Sequence, residues 1–433
     1  MEKISENNEG KGVNLRSEPT GTASKLKVHK PAVNPKRIIV VALIVLIALA
    51  NTACIPGFFT LKPKPPHEEV VAALKKVNDL KQQEYEAEFN FDIRSENPNL
   101  QTIYNIFSQC VFNVNTKLDK ENKRCQVYWN IFYKDTDCGN FAFYGDFERL
   151  TLQSVFLGPK TFYFELKDLN RLAQEHFGLQ LRIEDYLPVL FEIDEKTRRE
   201  IETAIWDFYT KYYQDKITAG DQAVKLSVIE NNREKKITCK ELLLQMDQSA
   251  FEETSELFRI MLANPALRTL IKDKITQLLS IAQQNGDLAT WPITAEEILA
   301  FRDQLDATLD QLLAGMLTGF TAAKTEIPQF FAFNGKILID RKGFWRQMTA
   351  SHTMQMTEAK TGEEVLFKVA LKQSLINPGQ KLTFSPFPAA EAINVGRLSA
   401  QEWKNLSQEI SRNFLGQFSS NPLFQDLISL FIQ

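Results

Sequence analysis

The chain has 433 residues, 44% of them hydrophobic, and a formal net charge of −3. That near-neutral balance leaves no basic surface to hold a phosphate backbone and argues against a nucleic-acid partner. The apolar content suffices for a large core, and 31 phenylalanines favour half-buried sheet surfaces.

Residues 1–35 are polar and lack an apolar period, which reads as a disordered cytoplasmic tail. The stretch 36–61 contains "KRIIVVALIVLIALANTACIPGFF" and is uncharged from position 38 to 61, long enough for a helix to span hydrocarbon. Lys25, Lys27, Lys30, Lys36 and Arg37 precede it, while only Lys62 and Lys64 follow directly. That bias predicts a single-pass cell-membrane protein with its N-terminus inside and its bulk outside the cytoplasm. The long leader favours an uncleaved anchor over a signal peptide. Two other fates stay open. Ala48-Leu49-Ala50 resembles a cleavage site, and "NTAC" resembles a lipobox that would lipidate Cys54, with Asn51 where leucine is usual. Residues 62–67 begin "KPKPP", a stiff extended spacer.

An extracytoplasmic α+β domain is expected over 68–398. It opens with a helix at 68–81, then "YEAEFNFDI", whose period of two marks a strand with one dry and one wet face. Strand-like runs continue at 103–118, 123–134, 140–157 and 161–167, joined by turns such as "DKEN" and "DTDCGN", so the sheet should be antiparallel. Helices are predicted at 168–177 and 195–215, and a hairpin at 222–230 and 235–246. A helical insert covers about 247–320. Asn264-Pro265 starts one helix, and the Thr294/Glu297 capping box starts another that carries Ile298, Phe301, Leu305, Leu309, Leu312 and Met316. After Pro328 the period returns to two. Asn334-Gly335 in "FAFNGKILID" predicts a two-residue hairpin turn. Strands follow at 344–357 and around Val365–Leu371, and Asn377-Pro378-Gly379 turns the chain into a last strand with Leu382 and Phe384. Helices over 399–433 begin with the Ser399/Glu402 capping box and end in "PLFQDLISLFIQ", a segment expected to dock on the domain.

Chemistry-bearing motifs are sparse. The four histidines show no metal spacing, and His352 falls on an apolar strand face as a core residue. There is no G-x-S-x-G, phosphate-cradling loop or H-E-x-x-H. Asp135, Asp137 and Gly139 resemble part of a calcium loop without its distal glutamate, and read as a turn. No enzyme, cofactor or metal is expected. A turn at 119–122 would set Cys125 opposite Thr116 rather than Cys110, so Cys110, Cys125, Cys138 and Cys239 have no evident pairing.

A strand face as apolar as these must be covered, by the protein's own helices or by a bound amphiphile. Two sets mark it: Trp129, Ile131, Tyr133, Phe162 and Phe164, and Met348, Met354, Met356, Phe367 and Val369. The order of anchor, helix entering a strand ("VVAALKKVNDLKQQEYEAEFNFDI"), long strands, inserted helices and a closing "SPFPAAEAINV" resembles bacterial envelope proteins of the lipoprotein-carrier type, the LolA/LppX half-barrels. The likeness covers roughly 68–396. It implies a curved antiparallel half-barrel sheet packed on inserted helices, with a lipid or acyl chain held between them. The alternative is a structural or protein-interaction module of the cell envelope with no ligand cavity.

Overall fold

The computed structural model describes residues 64–180, 182–230, 233–322, 330–357, 364–384 and 392–432. The expected anchor and Cys54 lie outside them; among the described residues no helix is long and apolar enough to cross a membrane.

Pro66 at the first position, Glu68 and Glu69 in the first turn and Lys75 and Lys76 in the last suit the helix dipole, and they define α1 (Pro66–Asn78). Strand β1 (Gln82–Ser95) carries the period-two stretch. The apolar run after it is not all strand. Residues 98–107 form α2 (Pro98–Phe107), started by Pro98 and stripe-forming rather than alternating, and β2 (Cys110–Asp119) begins beyond it. Next come β3 (Arg124–Tyr133), β4 (Thr136–Gly145), β5 (Arg149–Ser154) and β6 (Thr161–Glu165). The expected single strand at 140–157 is cut at Asp146, whose Oδ1 accepts from the backbone N–H of Glu148 and Arg149 and folds a turn. Lys134 and Asp135 close the β3–β4 hairpin with φ of 48° and 62°, a two-residue primed turn. The β2–β3 turn spans 120–123, one residue later than expected. Cys125 therefore faces Leu118, not Thr116.

Helices α3 (Asp168–Phe177), α4 (Ile183–Phe191) and α5 (Glu195–Tyr212) follow, then β7 (Ile217–Glu230) and β8 (Arg233–Met246). The helical layer continues with α6 (Gln248–Ala263), α7 (Pro265–Asn285), α8 (Ala295–Asp303) and α9 (Leu305–Ala322). One helix was expected over the last two, but the backbone leaves the helical region at Gln304. Asn264 caps α7, its Oδ1 accepting from the N–H of Ala266 at 2.9 Å and Leu267 at 3.2 Å. Asn264→Ala should cost about 1 kcal/mol in urea unfolding and Asn264→Asp much less, because the aspartate oxygen still accepts.

Strands β9 (Phe330–Asp340), β10 (Trp345–Thr357) and β11 (Glu364–Ile376) complete this half. The Asn334-Gly335 turn is not formed. Both residues lie inside β9, paired to Ser351 and Ala350 on one side and to Gln245 and Leu244 on the other. Here glycine serves a close approach, since a Cβ would meet the Phe333 ring at 3.1 Å and Leu244 Cβ at 3.4 Å. The real turn is at Gly343, φ +79°. The last strand expected around Leu382 is also absent. Residues 380–384 run without strand pairing, and the Leu382 N–H donates to Gln82 Oε1 at 2.6 Å. Strand β12 (Ala392–Asn394) lies further on, then α10 (Ala400–Ser420) and α11 (Pro422–Ile432).

The described strands form one open sheet in the order β12-β6-β5-β4-β3-β2-β1-β11-β10-β9-β8-β7. All pairs are antiparallel except β12 with β6. The chain enters at β1, builds β2–β6 outward in one direction, and returns through β7–β11 so that β11 closes on the free side of β1. The class is α+β. The main core lies where α1 sits on the sheet: Val70, Ala73 and Val77 pack against Ile217, Leu242, Leu244, Ile337, Ile339, Trp345 and Leu375.

Candidate functional site

Residues directly opposite one another in neighbouring antiparallel strands point to the same face. One such row runs Phe141, Trp129, Val114, Ala87, Gln373, Met348, Ile337, Leu242. The next runs Ile131, Phe112, Phe89, Leu371, Ala350. Val369 lies opposite Phe91, and Phe367 opposite Ile93 and Met354. Phe162 and Phe164 follow through Leu152 and Leu150. Both predicted apolar sets thus fall on one face, the face that carries α1.

Cover on that face is uneven. Met348 packs against the α1 core. Tyr133 is only 1% exposed and lies under α11. Its hydroxyl donates to Asp426 at 2.6 Å, which Lys134 also reaches at 2.7 Å. Leu423 and Leu427 of α11 pack with Ile106, Cys110, Cys138 and Ile131, the docking expected of the last segment. Burial, followed by the Asp426 hydrogen bond, pushes the Tyr133 phenol up, and the Lys134 ammonium holds the Asp426 carboxyl down. Phe162 is buried, while Ile131, Phe164, Met354, Phe367 and Val369 are half-buried. Met356 belongs to β10, but its side chain is outside the described residues.

Between these covered ends lies a group of five aromatic rings. Phe89 stacks on Phe112 with centroids 5.2 Å apart, and Phe91 meets Phe112 and Phe367 at 5.6 Å each. Trp129 stands 6.1 Å from Phe89 and 6.2 Å from Phe112. Trp129 is 39% exposed and continues into exposed Phe141, Leu150 and Leu152. Phe89, Phe91 and Phe112 were not among the predicted site residues. The alternation of β1 showed the face of Phe89 and Phe91, but a site needed the register that sets Phe112 beside them. His352 sits on the same face opposite Val369 and Phe333, and burial lowers its pKa below the ordinary 6.5.

Cys110, Cys125, Cys138 and Cys239 are all free thiols. Burial raises the pKa of each, which disfavours thiolate chemistry. The arrangement is an apolar, π-rich surface suited to binding alkyl or aromatic groups. No family model matches the chain, and no curated protein matches it.

Proposed function

We propose that the chain is a non-catalytic, membrane-anchored protein of the cell envelope that binds a hydrophobic or lipid-like ligand on the α1 face of its sheet. The observation that carries this reading is the five-ring group with exposed Trp129, flanked by helix-covered surface at both ends. Acyl chains need apolar area and little directional bonding, which this face offers. The half-barrel reading belongs to the same proposal: α1 and α11 would wall a space whose floor is Phe89, Phe112 and Trp129. The uncharged segment at 38–61, with its cations on the N-terminal side, would hold the domain at the outer surface of the membrane.

Mass spectrometry of lipids extracted from the purified full chain should find a copurifying amphiphile. A dibrominated stearate should quench tryptophan emission, and Trp129→Phe should remove the share of the quenching that arises at the ring group, whereas Trp403→Phe, on α10, should leave that share in place. Covering about 60 Å² of indole is worth about 1.5 kcal/mol, so Trp129→Ala should weaken stearate binding about tenfold. A chain that carries no amphiphile and is not quenched is not a lipid binder. Reproducible cross-links to an envelope protein would then favour an interaction module built on α10, where Trp403 and Leu415 are exposed.

A further inference from the structure

We propose that the opposite face of the sheet carries a second binding site, a trough that takes an acidic saccharide. An open depression of about 490 Å³ lies there, lined from five neighbouring strands, β1, β11, β10, β9 and β8. That volume is in the range of ~300–1,000 Å³ that holds small ligands. Two rows of facing residues make it. One runs Glu88, Lys372, Thr349, Lys336, Leu243, and the other Asn90, Ala370, Ser351, Asn334, Gln245. Ala370, Ser351 and Thr349 are short and give a low floor. The long side chains of Lys372, Lys336 and Gln245 stand around it. The β7–β8 arm folds toward this face. Glu230 stands at the tip of this arm, which runs past the end of β9, and it meets Arg346 of β10 at 2.7 Å.

The trough lies in the middle of the sheet, so the backbone groups of its strands are spent in ladders. A peptide cannot add to it as a further strand, and recognition must come from side chains. Those side chains are amides, hydroxyls and ammonium groups, which match sugar hydroxyls and a carboxylate, with one carboxylate, Glu88, at the β1 end of the row. Thr349 lies between two lysines in its row. Lys336 is ion-paired with Glu241, whereas Lys372 forms no ion pair within 4.0 Å among the described residues, with Glu88 directly across from it and Glu86 near enough to feel its charge. A ligand carboxylate at Thr349 would sit between both ammonium groups, with the sugar ring over Ser351 and its hydroxyls toward Asn90, Asn334 and Gln245. No aromatic side chain lines the trough beyond Phe89, whose ring belongs to the other face. The site is therefore distinct from the apolar face and does not rest on the function proposed for it.

Titration calorimetry of the full chain with digalacturonate, cellobiose and inorganic phosphate tests this. Digalacturonate should bind, and cellobiose and phosphate should each bind at least tenfold more weakly. Lys372→Ala should weaken digalacturonate about fivefold, Ser351→Phe should abolish its binding by filling the floor, and Trp129→Ala should change nothing. Circular dichroism and an unchanged unfolding midpoint show that the variants fold. Absence of digalacturonate binding, or binding indifferent to both Lys372→Ala and Ser351→Phe, overturns the site. Equal cellobiose binding overturns the acidic assignment, and equal phosphate binding the saccharide. If Ser351→Phe misfolds, Ser351→Gln is the second filling variant.

Discussion

Arg346→Ala should cost the protein about 3–5 kcal/mol, the scale expected when one member of a buried ion pair is removed. Arg346 is 1% exposed, and its Nη1 donates to Glu230 Oε1 at 2.7 Å and to Asp340 Oδ2 at 3.3 Å. It occupies the irregular register between Trp345 and Gln347, which turns its side chain away from the α1 face that Trp345 shares. Without the guanidinium, largely buried Asp340 loses its counter-charge where solvent cannot replace it, and Glu230 keeps only the exposed Lys235 at 3.3 Å. Urea unfolding of Arg346→Ala should show a lowered midpoint with an unchanged slope. The triple variant Arg346→Met, Glu230→Gln, Asp340→Asn should regain much of the loss, because no charge is then stranded.

The same contact gives a pH signature. The hydrogen bond from Arg346 holds the Glu230 carboxyl below its ordinary 4.5, against the opposing effect of burial. The folded chain therefore binds fewer protons at Glu230 than the unfolded chain does. This contribution is complete above about pH 5 and is lost as the pH falls through the lowered folded value. Stability measured between pH 7 and pH 3 should fall less steeply in Arg346→Ala than in the parent.

Leu242→Ala is the second large effect, about 2–5 kcal/mol. Leu242 is fully buried and packs within the group formed by Val70, Ala73, Val77, Ile337 and Leu375. It lies between α1 and a strand with neighbours on both sides, so the backbone around it cannot collapse into the space left behind. Leu242→Met keeps most of the volume and should cost under about 1.5 kcal/mol. Hydrogen exchange should show α1 losing protection in Leu242→Ala, since its contacts with the sheet run through this group.

The features that sequence displayed best were those set by neighbours in the chain. Alternation in β1, the Asn264 cap and the two capping boxes at Thr294 and Ser399 depend on residues within four positions, and all appear in the structure. Asn334-Gly335 shows the opposite case. The dipeptide favours a turn locally, but pairing with β8 and β10 on both sides holds it extended, and those partners are about 90 residues upstream and about 16 downstream in the chain. The apolar site was readable as two separate strand faces. Their union required β11 to close on β1 across some 280 residues, which no local pattern encodes. The trough was invisible for the same reason: its polar residues look like ordinary wet-face positions until five strands set them in rows.

Among the described strands the sheet ends in β12 on one side and β7 on the other, its two whole edges of unpaired backbone. Either could template growth with a second molecule. β12 is three residues long, too short to recruit a strand stably. β7 is fourteen residues long, but its register breaks between Ala219 and Ala223, and Asp221 and Lys225 charge its length. A twelve-stranded surface is thereby kept from polymerising edge to edge, and copies held close together would meet without fusing their sheets.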